Sequence, residues 1–537
     1  MQSTNVSRLL FLQKKTRESS FMNDLSLNKS KAIYWASGIV SICGIIFEVL
    51  FGAAGSYLLG DGVKQYTLTI SLFLTGMGIG AAVSEKVTKN LILSFVWIEY
   101  AIGILGGFSI FILFGVTAFL SSGMDAFFLY FITLVVGALT GVELPILIRK
   151  ANEIGITVQK STAKVLFSDY AGGLIGGLLF VYLLRPQFGL VKTAFLVAII
   201  NVVVALWVLY YFKTEIKHYR RHAISGLIIL FVLTLGVLFG EKTAFLFEQK
   251  LYQDPIIYHT QTDYQQVILT KEQGDLRLFL DGQLQFSSDD EYRYHETLVH
   301  TAVATADNPQ NILILGGGDG LALRELQKYE QIETMTLVDL DPIVTDLGKH
   351  HHELTVLNNH AFEDERVKIV NKDAFQYMKE DDTFYDIILV DLPDPNNESL
   401  NKLYTLEFYQ LLRNHLLPGG SMMVQATSPT FATEVYWSIN ETIKATELYT
   451  ENFHVDIPSF GDWGFVLAKR EPISLEDVDI SVDTKFLTNE VLEALTAFGK
   501  DIDEKMIDSK GMPIEPEVNT LIHPTLIEKY ERAWKSY

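Results

Sequence analysis

Cysteine is almost absent: the 537-residue chain has one, Cys43. A single thiol excludes an intrachain disulfide framework, a Cys-rich zinc site and a dithiol pair. Basic charge is also short, with 43 Lys and Arg against 64 Asp and Glu and a formal net charge of −21. A phosphate backbone is held by Lys and Arg, so this balance argues against a nucleic-acid partner. It suits cationic ligands better. No internal repeat of roughly 20 to 50 residues is present. The run His350, His351 and His352 stands among Lys349, Glu353 and Asn358 without a second ligand cluster. It reads as a solvated helix end, and no metal site is expected.

What the chain has in excess is apolar surface. Hydrophobic residues make up 49% of it, more than soluble domains generally carry. Apolar runs occupy 32–59, 66–83, 91–120, 126–148, 165–184, 193–212 and 223–240. A membrane-spanning helix takes about 20 residues, and most of these runs reach that length. Trp35, Tyr66 and Tyr211 flank several of them, as interfacial aromatics do. The first run is not a cleaved signal peptide, because similar runs follow it. Glu48, Glu99, Glu143 and Asp169 lie within candidate spans, where ionisable groups are costly and usually face a bundle interior. The spacings Gly172–Gly176 and Gly173–Gly177 would let helices approach closely.

After Gly240 the pattern changes. Short β-branched stretches at 266–270, 277–280, 312–315, 335–338, 367–370 and 387–390 alternate with helical ones. From Asn311 on, this predicts a parallel sheet covered by helices. The short strands between Ile256 and Phe286 predict a small antiparallel subdomain ahead of it.

Residues 311–315 read as a strand, 316–320 as a Gly-rich turn and 321–329 as a helix. Such a turn lets backbone approach a ligand at a helix start. The next strand ends in Asp339, which can take both hydroxyls of a ribose. Asp373 follows the third strand, where an adenine amino group could bond. Asp319 stands where the pyrophosphate of a dinucleotide would lie; it repels phosphate and welcomes a cation. That favours an S-adenosyl-type ligand, a nucleoside with a sulfonium. The fourth strand ends in Asp391–Leu392–Pro393–Asp394–Pro395, two carboxylates stiffened by prolines at a carboxyl strand end. A substrate with two ammonium groups would match it. Residues 290–296 begin a helix, and Gln425 ends another strand.

Together, residues 316–320 with Asp319, Leu280–Asp281–Gly282 followed by Gln285, residues 290–296 and residues 391–395 resemble the spermidine synthases, or polyamine aminopropyltransferases. The resemblance covers about Tyr264 to Ala468. It includes the segment 458–465 and looks like the long bacterial form with an N-terminal membrane domain. It implies transfer of the aminopropyl group of decarboxylated S-adenosylmethionine to putrescine, giving spermidine and methylthioadenosine. It implies Asp391 as catalytic base. Tyr294, His295, Asp319, Asp394 and Gln425 would hold the polyamine side. Gln265, Gln285, Gly316, Gly318, Asp339, Asp373 and Ala374 would hold the nucleoside. The sulfonium nucleoside is a co-substrate, and no cofactor or metal is expected. Leu321 replaces a common second glycine, Asp339 a usual Glu, and Phe460 stands near the place of a tyrosine in many soluble members. A methyltransferase on the same fold and a membrane polyamine transporter or sensor are the alternatives.

The expected architecture is a multi-pass α-helical membrane domain followed by an α/β Rossmann-like, methyltransferase-type domain with a small antiparallel β subdomain at its start. The boundaries are a tail over 1–30, about seven spans over 31–240, a linker and β subdomain over 241–300, the catalytic domain over 301–470 and an extension over 471–537. The extension is acidic, then helical, without a recognisable motif. Expected partners are a polyamine, a sulfonium nucleoside and the lipid bilayer; a homo-oligomer is allowed for. Lys and Arg collect in the tail (Arg8, Lys14, Lys15, Arg17) and in alternate loops (Lys86, Lys89; Arg149, Lys150, Lys160, Lys164; Lys213, Lys217, Arg220, Arg221). The positive-inside rule makes these cytoplasmic, and an odd number of spans would then put the catalytic domain outside. Donor supply demands a cytoplasmic catalytic domain at the cell membrane. The expected repair is an even count, through a break at 52–55 or 103–107 or a re-entrant 223–240.

Overall fold

The computed structural model describes residues 3–60, 62–120, 123–154, 158–262, 264–476, 478–505 and 514–534, with side chains from residue 29 on and excepting 158. The basic tail side chains Arg8, Lys14, Lys15 and Arg17 fall outside the described side chains. The chain divides into two compact units, Met1–Gln253 and Asp254–Tyr537.

The first unit is helical: α1 (Ser3–Leu59), α2 (Gly62–Val83), α3 (Leu91–Phe119), α4 (Met124–Glu153), α5 (Val158–Leu179), α6 (Arg185–Tyr211) and α7 (Tyr219–Glu248). Six helical stretches are long and apolar enough to cross a membrane, one of them the 53-residue stretch Gln159–Tyr211. That stretch joins α5 to α6 through a π-helical turn, Phe180–Leu184. It is not one rod. Gly189 has φ 63° and ψ −172°, outside the helical region. Thr193 Oγ1 donates to the Leu184 carbonyl at 3.2 Å, nine residues back, where a continuous helix would put about 13 Å. The chain therefore doubles back at Gly189, near the start of α6.

Successive rods alternate in direction. Side chains on α1 and α5 meet in parallel order, Ser37 Oγ donating to the Val165 carbonyl and Ser41 Oγ to that of Asp169. Rods α2 and α4 are parallel too, with Phe73 against Gly137 and Met77 against Gly141. Rods α3 and α6 run antiparallel, Gly103 facing Val202 and Gly107 facing Phe195. The beginning of the apolar part of α1, the end of α4 and the α6–α7 loop meet at one end, where Lys29 and Lys150 both pair with Glu215 at 2.5 and 2.9 Å. The ends of α1 and α7 meet at the other, where the Tyr57 hydroxyl donates to Glu248.

The expected breaks are absent. Residues 52–55 lie inside α1, 103–107 inside α3, and 223–240 inside a continuous α7 that runs past Gly240 to Glu248. The glycines there make room for neighbours instead of ending helices. A Cβ on Gly52 would lie 2.4 Å from the Tyr66 ring, one on Gly106 2.5 Å from the Phe47 ring, and one on Gly103 2.7 Å from Val202. Gly172 and Gly176 pack against the backbone of Gly38 and Ile42, while Gly177 meets nothing. Small residues are the means by which helices approach in an apolar solvent, where no hydrophobic force drives them together. Of the ionisable residues, Glu99 is fully buried and lies within hydrogen-bonding reach of the Glu143 carboxyl. Glu143 is buried and, with Asp169, Ser37 and Ser41, lines a cavity of about 300 Å³. Glu48 is buried as well.

The second unit opens with a four-stranded antiparallel sheet, β1 (Ile256–Gln261), β2 (Gln266–Glu272), β3 (Asp275–Leu280) and β4 (Gln283–Ser287). Then follow α8 (Glu291–Thr305), β5 (Asn311–Gly316), α9 (Leu321–Leu326), β6 (Thr334–Asp339), α10 (Pro342–His350), α11 (His352–Leu357), β7 (Val367–Asn371), α12 (Ala374–Glu380) and β8 (Tyr385–Asp391). The chain continues through α13 (Glu398–Asn401), α14 (Leu406–His415), β9 (Leu416–Gln425), α15 (Thr433–Lys444), β10 (Tyr449–Ile457), β11 (Gly461–Lys469), α16 (Asn489–Ala494) and α17 (Leu526–Trp534). Seven strands form one sheet in the order β10-β11-β9-β8-β5-β6-β7. The central strands are parallel and β11 is antiparallel to β9. Ile312 to Leu315 and Ile387 to Val390 are completely buried, the continuous apolar pattern of strands covered on both faces. From β5 the chain steps outward to β7 and returns to β8 on the other side. The carboxyl ends of β5 and β8 thus bracket a topological switch point, the usual ligand site of such sheets.

Close helix packing in the first unit gives a direct test. A Cβ on Gly80 would lie 1.9 Å from the Ala138 carbonyl, whereas one on Gly78 meets nothing within 4 Å. Gly80→Val should destabilise the helical unit by about 1–3 kcal/mol through overpacking, read as a lower melting temperature in detergent. Gly78→Ala should not.

Candidate active site

At the switch point β5 and β8 are in register, Gly316 opposite Asp391. Gly316 has φ 88°, and a Cβ there would lie 1.9 Å from the Asp391 carbonyl. Only glycine fits this crossing. Beyond it a cavity of about 1080 Å³ opens along the carboxyl ends of β5, β6 and β8. All thirteen residues expected at the site line it: Gln265, Gln285, Tyr294, His295, Gly316, Gly318, Asp319, Asp339, Asp373, Ala374, Asp391, Asp394 and Gln425.

Asp391, the last residue of β8, accepts a hydrogen bond from the Tyr294 hydroxyl at 2.6 Å. Burial pushes its carboxyl above the usual range, while the positive charge of His295 and the Tyr294 bond pull it back. Asp394 takes the Thr427 hydroxyl at 2.9 Å and the Tyr530 hydroxyl at 3.0 Å on Oδ2, and the Gln425 amide at 3.3 Å on Oδ1. Burial raises it too, against those three bonds. Gln425 is buried and fully engaged. Its amide also donates to the Tyr404 hydroxyl at 2.6 Å and to the Leu392 carbonyl, and its Oε1 accepts from Thr427 N–H and the Trp463 indole.

Asp319, in the glycine turn, accepts Leu321 N–H at 2.8 Å, which anchors the start of α9. Burial lifts it to about 6, with His295 lowering and Asp391 raising it. His295 Nδ1 has only acceptors beside it, the Glu291 carbonyl and carboxylate, both at 2.9 Å, so this nitrogen carries a proton. Burial opposes the charged ring, but Glu291 outweighs it and brings His295 to about 9. Glu291 is itself held by both terminal nitrogens of Arg324, at 2.9 and 3.0 Å. A charged His295 therefore faces Asp319 and Asp391 and offsets part of their repulsion.

On the nucleoside side, Asp339 accepts Gly318 N–H at 3.1 Å and Asp341 N–H at 2.8 Å. Burial raises it to about 7. A Cβ on Gly318 would lie 2.6 Å from the Asp339 carboxylate, so glycine lets strand-end acid and turn meet. Gln265 donates to Asp341 at 3.2 Å, and Asp341 caps α10 through Ile343 N–H. Asp373 caps α12 through Gln376 N–H, and its other oxygen pairs with Lys402 at 2.6 Å. Gln285 is half-buried and bonds the Gln283 carbonyl. Among the described residues no group of three or more His, Cys, Asp or Glu could hold a metal ion.

Sequence reasoning missed Tyr404, Thr427, Trp463, Lys402 and Tyr530. Thr427 stands two residues past a strand end already singled out, a signal that was available. Lys402 and Tyr530 carry no local signal, and the C-terminal extension, expected to be acidic, then helical, without a motif, brings α17 to the cavity. Residues 458–465 divide between the β10–β11 turn and β11. Phe460 lines the cavity with its ring 6.5 Å from that of Tyr294. The phenol that reaches Asp391 is thus on α8.

The profile of the spermine/spermidine synthase domain matches residues 291–478. The polyamine aminopropyltransferase of Oceanobacillus iheyensis is 62% identical over 516 residues, 96% of this chain and 100% of that protein. That of Leptospira interrogans is 40% identical over 509 residues, 94% of this chain and 98% of its own. A crystal structure of a spermidine synthase in complex with the transition state analogue AdoDATO is 25% identical, covering 45% of this chain and 85% of its own, with a TM-score of 0.43. Identity of this order across both units, not the second alone, means that the chain belongs to the spermine/spermidine synthase family as a polyamine aminopropyltransferase with an additional N-terminal helical region.

Proposed function

We propose that the chain is a membrane-anchored spermidine synthase that transfers the aminopropyl group of decarboxylated S-adenosylmethionine to putrescine. The observation that carries this reading is the cluster of Asp319, Asp391 and Asp394 around one cavity, with Asp391 held by Tyr294. An amine of putrescine attacks the aminopropyl carbon, the carbon–sulfur bond breaks, and its electron pair returns to sulfur as neutral methylthioadenosine. The attacking nitrogen must first be uncharged and finally lose a proton. Asp391, a raised carboxyl at the strand end, is the proposed acceptor and positioning group. Asp319 would hold the donor's ammonium, and Asp394 with Gln425, Tyr294 and His295 would shape the acceptor end. Gln265, Gln285, Gly316, Gly318, Asp339, Asp373 and Ala374 would surround the thioadenosine. A methyl donor with an intact carboxylate would meet Asp319 unfavourably, which disfavours a methyltransferase.

Purified protein should form methylthioadenosine from decarboxylated S-adenosylmethionine only when putrescine is present. Asp391→Asn should lower kcat by roughly 10²–10⁴ while donor binding, read by calorimetry, persists. Near-wild-type turnover would remove Asp391 from the role.

The pH dependence has a definite sign. Asp319 and Asp339 must be ionised to hold an ammonium and a ribose, and they protonate near 6 and 7. kcat/KM for the donor, which reports the free enzyme, should therefore fall as pH drops through that window. Asp319→Asn should remove the lower step. A profile flat across the window contradicts the assignment.

The six apolar stretches of the first unit support a membrane anchor. The basic loops share the end of the bundle where the apolar part of α1 begins, and the chain leaves α7 at the other end. By the positive-inside rule alone this would put the catalytic unit outside. We nevertheless propose a cytoplasmic catalytic unit, because donor supply is the stricter demand. Ser474 is exposed in the second unit. Ser474→Cys in a Cys43→Ser background should resist an impermeant thiol reagent in intact cells and react after lysis. Labelling of intact cells would reverse the orientation.

A further inference from the structure

The C-terminal helix α17 lies beyond residue 478, where the family-domain match ends. It nevertheless forms part of the cavity wall, through Tyr530 and Trp534. Tyr530 is 8% exposed, and its hydroxyl reaches Asp394 Oδ2 at 3.0 Å. The Trp534 ring lies 5.9 Å from that of Tyr530 and 5.5 Å from that of Phe431. Its indole N–H is buried and has no hydrogen-bond partner. A donor left unsatisfied at a cavity wall costs free energy unless something in the cavity accepts it.

The helix is clamped in place. Lys529 is buried and pairs with Glu517 at 3.0 Å and Glu434 at 3.4 Å, and it donates to the Ser438 hydroxyl. Arg532 pairs with Glu434 at 2.7 Å. Leu526 is buried in the core between sheet and helices. Ahead of α17, the Asn519 side chain donates to Asn401 and to the Tyr404 carbonyl, and its Oδ1 accepts Thr525 N–H. An exposed tail helix needs none of these ties. They fix the aromatic pair against Asp394, a carboxylate of the cavity wall.

We propose that α17 gauges the acceptor: Tyr530 positions Asp394, and Trp534 closes the amine end of the cavity, so that the C-terminal helix sets the length of amine accepted. This rests on the aminopropyltransferase reading of the site. Tyr530 is a positioning residue, acting through Asp394. Trp534 is a specificity residue, and removing its ring opens room for further methylenes.

The test uses the full-length enzyme, decarboxylated S-adenosylmethionine, and putrescine, a five-carbon diamine and spermidine as acceptors. Trp534→Ala should raise the kcat/KM ratio of the longer amines to putrescine by about tenfold or more, the scale on which pockets sense methylenes. Tyr530→Phe, which keeps the ring, should raise the putrescine KM several-fold and leave the donor KM unchanged. A purely structural role would move donor KM and melting temperature together with acceptor KM. If Trp534→Ala does not fold, Trp534→Phe and Tyr530→Phe decide the matter. Unchanged acceptor ratios and acceptor KM in an active enzyme overturn this inference alone. A wild-type protein that transfers to no amine overturns the functional reading and this inference with it.

Discussion

Four carboxylates around one cavity are the constraint on which the catalytic unit is built. Asp319, Asp339, Asp391 and Asp394 all border it, and burial lifts each above its ordinary range. Buried like charges repel, and each loses its hydration. The surrounding structure supplies what water would have given. Backbone N–H groups of the glycine turn and of Asp341 hold Asp339, Leu321 N–H holds Asp319, and hydroxyls from three separate elements hold Asp391 and Asp394. One cation, His295, is placed among them, and the Arg324–Glu291 pair behind it keeps it charged. The glycines follow from the same demand. Gly316 lets β5 approach Asp391, and Gly318 lets the turn approach Asp339.

Much of this was legible because a parallel sheet puts its chemistry at the carboxyl ends of its strands. Asp339, Asp391 and Gln425 stand at the last residues of β6, β8 and β9, and each could be found by locating where an apolar run stops. The glycine turn with Asp319 was legible for the same reason. Tyr530, Lys402 and Tyr404 were not, because no local pattern marks them. Lys402 and Tyr530 reach the cavity, and Tyr404 reaches Gln425, only after segments far apart in sequence pack together, and a tyrosine on an amphipathic tail helix looks like any core residue.

The helical unit shows the converse limit. Runs 165–184 and 193–212 were separable by hydropathy, and the chain does turn between them, at Gly189. Glycines at 52–55 and 103–107 looked like equivalent breaks, yet α1 and α3 run through them. The difference lies in what each glycine faces. Gly189 has a positive φ and nothing near it, which marks a turn, while Gly52, Gly103 and Gly106 have ring or methyl groups where a Cβ would be. Composition cannot tell a glycine that frees the backbone from one that admits a neighbour, since both appear as a missing side chain.

On the proposed reaction the carboxylate array also answers to the direction in which charge moves. The donor begins with its positive charge on sulfur and ends neutral there, while the attacking nitrogen begins neutral and becomes positive. A carboxylate that stabilised both ends equally would bind substrates without accelerating transfer. A carboxylate fixed on the nitrogen side stabilises charge that exists only as the new bond forms. Asp391 fits that need because Tyr294 holds one oxygen in place, and because burial leaves its carboxyl a better proton acceptor than one in water. His295 serves the same need, since its charge pulls the Asp391 carboxyl back toward its ordinary range and so favours the anion that faces the nitrogen. Weakening the Glu291–Arg324 pair would thus reach the reacting nitrogen through His295 and Asp391, although neither Glu291 nor Arg324 borders the cavity.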